Sequence, residues 1–463
     1  MDIIFSHNAK RIGADVREEL PVAADAKPAR FHMSTRHFRR RALALVAAGW
    51  LGGCISQPAG TDEAPKTLSF EPAAVERGAQ LAAIGNCIVC HTAPGGQPYA
   101  GGRALKTPFG IIHGTNITPD PETGIGRWSE GAFARAMRQG VDRDGRHLYP
   151  AFPYDHYTKL TDEDVRALYA FVMTREPVSA GRPANQLSFP FNIRSLIGLW
   201  KRLYFEPGAF VPDSGQNAEW NRGAYLVQGL GHCGACHTPR NVLGAEKNDL
   251  YLAGGEAEGW HAPALTGASP APEPWTTDYL FRYLRGGLTD RHDAPAGPMA
   301  SVVHNLAAVP EQDVRAIAVY VAAQMDPPTP ERRSLRAEAG APTRTEGGDS
   351  TLQAGATIYA GACGACHDNG RIAPYSGDAL QLTYSTSVNL PTPSNFIHIV
   401  LDGVMPRDGE PGPWMPGFRG ALTDGQLAAL TLYARSRFGS GPPWRDVEGE
   451  VRKARTSGAT GGG

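Results

Sequence analysis

The sequence predicts an all-α protein built from three small domains in tandem, with short helices and long loops. The chain has 463 residues, enough for about three domains of ordinary size. Six of its seven cysteines fall into three copies of one short motif, and similar helical segments recur around each copy. Its 55 glycines and 38 prolines exceed the average share, which favours loops over long helices or large sheets.

The composition excludes several classes of protein. Apolar residues make up 41% of the chain and charged residues 20%, so the chain is not intrinsically disordered. The formal net charge of −1 gives no electrostatic support for a nucleic-acid partner. No stretch after residue 54 reaches about 18 apolar residues, so we predict no transmembrane helix.

Residues 33–54 have the pattern of a bacterial signal peptide, with four arginines before the short apolar run 42–50. A buried helix behind a basic cap is the alternative. If the segment is a signal peptide, Met33 is the predicted start of the protein, and residues 1–53 are a signal and extension segment. The run ends in Leu51-Gly52-Gly53-Cys54, which resembles a lipobox. We therefore predict that Cys54 is lipidated and anchors the protein on the periplasmic side of the membrane, the alternative being an ordinary cleavage site.

The repeated motif is C-x-x-C-H, the attachment signature of c-type haem. Two thiols on one helical turn reach the vinyl groups of a haem, and the next residue turns its imidazole onto the iron. A zinc site requires four ligands, and disulfides would leave the histidines without a role. A redox C-x-x-C would require a βαβ context. We predict three haem c groups, attached at Cys87 and Cys90 with His91, at Cys233 and Cys236 with His237, and at Cys363 and Cys366 with His367.

Each motif lies inside a longer repeat. The helix before each motif contains Arg77-Gly78-Ala79, Arg222-Gly223-Ala224 or Ala354-Gly355-Ala356, and the last helix carries Phe171, Tyr320 or Tyr433 at matching positions. We predict that each glycine admits the aromatic side chain and so closes a domain around its haem. The predicted domains are 72–175, 217–327 and 351–439. The predicted linkers are 54–71, 176–216 and 328–350, and 440–463 is predicted to be a flexible tail.

The second and third repeats each offer a methionine as the sixth iron ligand. Met299 and Met415 lie in Pro- and Gly-flanked segments before the last helix, and Met405 is a weaker rival to Met415. A methionine can also fill a gap in the core, but these flanks favour loops.

The first repeat departs from this pattern, because Phe152 stands in the corresponding loop and cannot bind iron. His156 follows four residues later and is one candidate ligand. Met173, at the end of the last helix, and Met137 are the other candidates. His156 could instead be a surface histidine, and Met173 and Met137 could be core residues. The sixth ligand of the first haem therefore stays open.

Several longer segments of the chain resemble those of a known family. They are Asn116-Ile117-Thr118-Pro119-Asp120, Gly124-Ile125-Gly126-Arg127-Trp128, Tyr149-Pro150-Ala151-Phe152-Pro153-Tyr154, and residues 223–241 around the second motif. From about residue 72 to 438 the chain resembles the triple-haem cytochrome c subunit of membrane-bound bacterial alcohol, aldehyde and gluconate dehydrogenases. The resemblance implies three domains like class I cytochromes c. The alcohol dehydrogenase branch typically has methionine where this chain has Phe152. With Phe152 and a histidine nearby, the chain looks more like cytochromes paired with molybdenum hydroxylases.

The resemblance also implies an electron-transfer subunit and not an enzyme. A separate molybdenum, quinoprotein or flavoprotein dehydrogenase subunit would pass electrons through the haems to ubiquinone, or to another respiratory acceptor such as a downstream cytochrome or oxidase. Two alternatives remain, a multihaem peroxidase that uses the first haem and a subunit of a terminal oxidase. Besides Cys54, a partner subunit or the segment 187–205 could supply the membrane contact.

Overall fold

The computed structural model describes residues 69–287, 289–325, 349–368, 381–406 and 414–458. The predicted signal segment, Cys54, nearly all of the 328–350 linker and the last residues of the predicted tail lie outside this part of the chain. The described helices are α1 (Pro72–Ile84), α2 (Cys87–Cys90), α3 (Glu130–Gln139), α4 (Tyr154–Tyr157), α5 (Asp162–Met173), α6 (Leu196–Tyr204), α7 (Ala218–Gln228), α8 (Gly234–His237), α9 (Thr277–Gly286), α10 (Pro298–Leu306), α11 (Glu311–Gln324), α12 (Ser350–Ala362), α13 (Gly364–His367), α14 (Thr386–Asn389), α15 (Ser394–Asp402), α16 (Asp424–Phe438) and α17 (Val447–Gly458). The strands are β1 (Ala104–Thr107), β2 (Gly110–His113), β3 (Gln186–Leu187), β4 (Gly255–Ala257) and β5 (Trp260–Ala262), with 3₁₀ turns at Asn248–Leu250 and Leu382–Tyr384.

One pair of crossing helices recurs three times, as α1 with α5, α7 with α11, and α12 with α16. We call the segments that contain these pairs the first, second and third repeats (72–175, 217–327 and 351–439). Side-chain caps fix two of the helix starts as predicted. The Thr161 hydroxyl accepts a hydrogen bond from the Asp164 N–H at the start of α5, and Thr423 forms a capping box with Gln426 at the start of α16.

Each crossing is close because a glycine lies at the point of contact. A Cβ on Gly78 would lie 2.0 Å from the Ala167 carbonyl oxygen and 2.6 Å from the Phe171 Cβ. A Cβ on Gly223 would clash in the same way with Ala316 and Tyr320, and one on Gly355 would clash with Ala429 and Tyr433. Because no larger residue fits these contacts, the structure confirms the predicted pairing of glycine and aromatic in all three repeats.

Two small antiparallel sheets correct the all-α prediction. β1 pairs with β2, β3 joins the free edge of β2, and β4 pairs with β5. The hairpin turn at Gly110 has a φ of +125°, and a Cβ there would lie 2.1 Å from the Gln186 carbonyl oxygen. Strands of two to four residues are too short to show an alternating pattern, which is why the sequence did not reveal them.

The predicted linker 176–216 contains ordered structure that packs on the first repeat. It supplies β3 and the helix α6. The Lys201 ammonium of α6 donates to the carbonyl oxygens of Gln139 (2.6 Å) and Gly140 (2.7 Å), which lie at the C-terminal end of α3. The segment thus satisfies carbonyl groups of the first repeat as well as connecting it to the second.

The C-terminal segment 440–463 was predicted to be flexible, and here the prediction is wrong for residues 447–458. Helix α17 buries Val447, Val451 and Ala454 against the third repeat, and Trp444 donates its indole N–H to the Leu390 carbonyl oxygen at 2.9 Å. The apolar spacing is helical, but it lies in a charged, Gly-containing sequence that hides it.

The first and second repeats share one hydrophobic core, and the third has its own. A crossed ionic network joins the first two. Arg77 lies 3.3 Å from both Asp164 and Asp313, and Arg222 lies 2.7 Å from Asp313. Tyr225 donates its hydroxyl to Asp164 at 2.7 Å. None of the described helices is long and apolar enough to cross a membrane.

Candidate haem-binding sites

The first motif forms one helical turn directly after α1. Cys87 and Cys90 begin and end α2, and Asn86 enters it with a φ of +51°. His91 follows, and its Nδ1 lies 2.7 Å from the Thr115 carbonyl oxygen. A carbonyl can only accept, so Nδ1 carries the proton and Nε2 keeps its lone pair. Burial lowers the pKa of His91, which favours this neutral form, the one that binds iron.

The second motif repeats this geometry. Cys233 leads into α8, which contains Cys236 and His237. The His237 Nδ1 lies 2.7 Å from the Pro263 carbonyl oxygen, and burial again lowers the pKa of His237. Both histidines therefore have the tautomer and the orientation that an axial ligand needs.

The third motif has the same local structure. Cys363 precedes α13, which holds Cys366 and His367, and α12 runs directly into it. The Tyr359 hydroxyl donates to the Asp368 carboxylate at 2.8 Å and so ties the end of the motif to α12. The segment that follows this motif, 369–380, lies outside the described residues.

All six motif cysteines are free thiols and lie in three pairs, each within one helical turn. Burial raises the pKa of Cys87 and of Cys233 to about 12, so both are neutral thiols at physiological pH. Because the three pairs are not disulfides in this structure, their sulfur atoms are available for thioether bonds to a haem.

Glycines bring the chain after each of the first two motifs back onto the motif. A Cβ on Gly114 would lie 2.0 Å from the Cys90 carbonyl oxygen, and one on Gly255 would lie 2.4 Å from the Cys236 carbonyl oxygen. This close approach places Thr115 and Pro263 where they accept from the histidines. The thiol pair, the oriented histidine and the cradle together fit a covalently attached c-type haem.

A loop of constant length leads from one helix of each repeat to the candidate sixth-ligand position. Gly140, Gly287 and Gly403 end α3, α9 and α15, and all three have positive φ. Twelve residues after these glycines stand Phe152, Met299 and Met415. The equal loops support the equivalence of the three positions, and with it the predicted ligand roles of Met299 and Met415.

The two methionines have different backbone settings. Met299 is the second residue of α10, not part of a loop as predicted, and packs against the shared core of the first two repeats. Met415 packs against the core of the third repeat, and its N–H donates to the Val404 carbonyl oxygen at 2.7 Å. Met405 is 64% exposed, which makes it the poorer candidate.

The chain is similar to known c-type cytochromes. A family model described as cytochrome c matches residues 75–176, and one described as cytochrome c oxidase, cbb3-type, subunit III matches residues 350–433. The fructose dehydrogenase cytochrome subunit of Gluconobacter japonicus is 38% identical over 399 residues, which cover 81% of this chain and 82% of that one. The alcohol dehydrogenase (quinone) cytochrome c subunit of Gluconobacter oxydans is 34% identical over 444 residues, covering 91% and 90%. The chain belongs to this family of dehydrogenase cytochrome c subunits.

The predicted resemblance is thereby confirmed, and the chain is an electron-transfer subunit and not a catalytic one. Another relative is a nicotinate dehydrogenase polypeptide of Pseudomonas putida, 45% identical over 395 residues. The matched residues cover 85% of this cytochrome and only 33% of that relative, so the chain spans about a third of its length.

Both ring nitrogens of His156 in the cytochrome have hydrogen-bond partners in this structure. Its Nδ1 lies 2.9 Å from the Gln228 carbonyl oxygen, and its Nε2 lies 2.8 Å from Oε1 of Glu246. Both partners are acceptors, so both ring nitrogens donate and the ring is an imidazolium without a lone pair. Burial opposes this charge, but the Glu246 carboxylate outweighs it and raises the pKa of His156. The sequence could not reveal this partner, which lies 90 residues further along the chain.

The two other candidates for the first haem are core residues. Met137 lies on α3 and is buried, and Met173 ends α5 and is partly buried against the same core. Phe152 also packs against that core and makes an edge contact with Tyr157, with 5.3 Å between ring centroids. Phe152 thus fills the position that a methionine holds in the other two repeats.

The residues that orient the histidines could not be predicted from the sequence. Thr115 and Pro263 act through their backbone carbonyls, which carry no residue-type signal. Asp293 was not predicted either. Its partly buried carboxylate accepts from the Ser387 N–H and hydroxyl, both at 2.8 Å, and so joins the second repeat to the third.

Proposed function

We propose that the chain is a triple-haem c-type cytochrome of the bacterial periplasm. It accepts electrons from a catalytic dehydrogenase subunit and passes them to ubiquinone or to another respiratory acceptor. A bound c-type haem supplies a one-electron couple whose potential the axial ligands and the surroundings adjust. The observation that carries the proposal is the threefold recurrence of a C-x-x-C-H turn on a glycine-aromatic helix crossing.

The chain supports a relay because the first two attachment segments touch. The His232 Nε2, next to Cys233, lies 3.3 Å from the carbonyl oxygen of Gly85, two residues before Cys87. Beside them, Asn86 donates its amide to the Ser301 hydroxyl at 3.5 Å. Two haems attached here would lie close together, as transfer between them requires.

The third repeat attaches to the second through a separate contact. The His261 N–H of β5 donates to the Asn395 side chain at 2.8 Å, and Asn395 donates back to the His261 carbonyl oxygen at 2.9 Å. Asp293 adds the bonds to Ser385 and Ser387. The second repeat therefore lies between the other two, and we propose three haems in series.

Methionine ligands complete two of the three sites in this proposal. We assign Met299 to the second haem and Met415 to the third, on the twelve-residue loops described above. For the first haem, the ion pair of His156 leaves Met173 and Met137 as the candidates, or an open sixth position. An open position is also what a peroxidase would need, but the full-length relatives are cytochrome subunits, so we do not propose that activity.

The partner and the membrane contact are further parts of the proposal. The similarity to subunits of fructose, alcohol and nicotinate dehydrogenases supports a flavoprotein, quinoprotein or molybdenum partner without deciding among them. Lipidation at Cys54 would hold the cytochrome at the periplasmic face of the membrane.

The haem content tests the proposal. We expect three haems per chain when the exported protein is quantified in alkaline pyridine against its mass. Replacing Cys87 and Cys90 with serine should lower the ratio from about three to about two, and the same change at Cys233 and Cys236 should do likewise. A ratio of two or less in the parent protein would overturn the proposal.

A further inference from the structure

Five apolar side chains lie exposed on the segment between the first and second repeats. We call them the apolar ridge: Phe189, Ile193, Leu196, Leu199 and Leu203. Their exposed fractions run from 41% to 80%. The three leucines are spaced by three and four residues, so they lie on one face of α6.

Other residues of α6 already hold the helix on the protein. Lys201 bonds to the carbonyl groups at the end of α3, and Gly198 lies against the His147 ring. Trp200 donates its indole N–H to the Leu243 carbonyl oxygen of the second repeat at 3.0 Å. The ridge leucines are therefore not needed to fix α6, and no part of the chain that the structure describes covers them.

The charges of this segment identify what would cover the ridge. Residues 177–205 contain four basic side chains and no acidic one, and Glu176 and Glu206 stand at the two ends of this stretch. Arg194 and Lys201 donate to carbonyl oxygens of the first repeat, whereas Arg182 and Arg202 are exposed, Arg202 beside Leu203. An apolar helix face edged by Arg202, Trp200 and Tyr204 is typical of a helix that lies in the surface of an anionic bilayer.

We propose that the apolar ridge inserts into the interfacial layer of an anionic membrane. The leucine side chains lie among the acyl chains, and Arg202 contacts lipid phosphate groups. Val242, which is 91% exposed in the loop that contacts Trp200, lies next to this surface. The proposal rests on the proposed periplasmic function and adds to it the face of the protein that the membrane covers.

Vesicle binding tests the proposal without the acyl anchor. The full-length Cys54→Ser holoprotein should sediment with vesicles of phosphatidylglycerol and phosphatidylethanolamine. The triple variant Leu196→Ser/Leu199→Ser/Leu203→Ser should lower the partition coefficient by at least about tenfold, because three leucines no longer enter the acyl layer. Arg202→Glu should also weaken binding, and vesicles of phosphatidylcholine alone should bind less.

Val211→Ser is the matched control, because Val211 is 81% exposed but lies outside the ridge. It should bind as the parent does. Equal binding of vesicles by the triple variant and the parent would overturn the proposal. It would also be overturned if the parent bound no vesicles and the triple variant lost its binding to a dehydrogenase subunit. Haem content measured on the same samples reports on the proposed function separately, since the sedimentation assay does not depend on electron transfer.

Discussion

At the scale of single residues, the surroundings of His156 decide its chemistry. The imidazolium faces Glu246, and Arg240 lies 3.4 Å from the same carboxylate oxygen. The pair joins α4 of the first repeat to the second repeat. His156, four residues after Phe152, thus holds two repeats together in this structure. Its position in the sequence alone made it a candidate iron ligand.

Replacing His156 by glutamine should destabilise the protein and leave its iron ligands unchanged. Removing one partner from a buried ion pair costs about 3–5 kcal/mol, and Arg240 would reduce this cost by retaining part of the pairing of Glu246. Urea denaturation should show the loss, while the visible spectrum stays as in the parent. A changed spectrum at unchanged stability would instead identify His156 as the ligand.

The same pair makes stability depend on pH in two directions. The pKa of His156 is raised from its ordinary value of 6.5, so its contribution is complete below that value and is lost as the pH rises through the folded pKa. The pKa of Glu246 is lowered from 4.5 despite its burial, chiefly by His156, so its contribution is lost as the pH falls. The difference in the free energy of unfolding between the parent and His156→Gln should therefore be largest between the two folded pKa values. It should shrink as the pH rises through the folded pKa of His156 and as it falls through that of Glu246.

Phe152 gives a second test at this scale. Phe152→Met places a thioether where the loop length matches Met299 and Met415. The potential of the first haem should rise, and the thioether-to-iron absorption of the oxidised protein should grow by about half if two haems have such a bond in the parent. Phe191→Met is a control, because Phe191 lies in the connecting segment and packs against Phe109, with 4.5 Å between their ring centroids. If both variants match the parent, Phe152 is not at the ligand position.

At the scale of elements, the helix crossings depend on their glycines, and α12 contains a matched pair of sites. A Cβ on Gly355 would lie 2.2 Å from the Ala429 carbonyl oxygen, whereas one on Gly361 would meet nothing within 4 Å. Gly355→Ala should lower the free energy of unfolding by about 1–3 kcal/mol through overpacking. Gly361→Ala should raise it by about 0.5–1 kcal/mol, because alanine favours the helix. Equal effects in urea denaturation would contradict the crossing.

The elements also show what the sequence could and could not reveal. The cysteine motifs, the glycines and the aromatics recur at matching positions, and so they predicted the helix pairs correctly. The two hairpins were missed because their strands are two to four residues long. Helix α17 was missed because its apolar residues Val447, Val451 and Ala454 stand in a charged, Gly-containing segment, and only the third repeat gives them a surface to cover.

At the scale of the whole molecule, the second repeat connects the other two. It shares a core and an ionic network with the first repeat, and it contacts the third through β5 and Asp293. In the proposed function, this arrangement places the three haems in series, with the second haem between the other two.

The most direct test of this account is a coulometric titration of the purified holoprotein, followed by its visible spectrum. The account predicts three electrons per chain, with the component that lacks a thioether band titrating at the lowest potential if the first haem has no methionine ligand. Two electrons per chain, or fewer than two components that carry the thioether band, would contradict it.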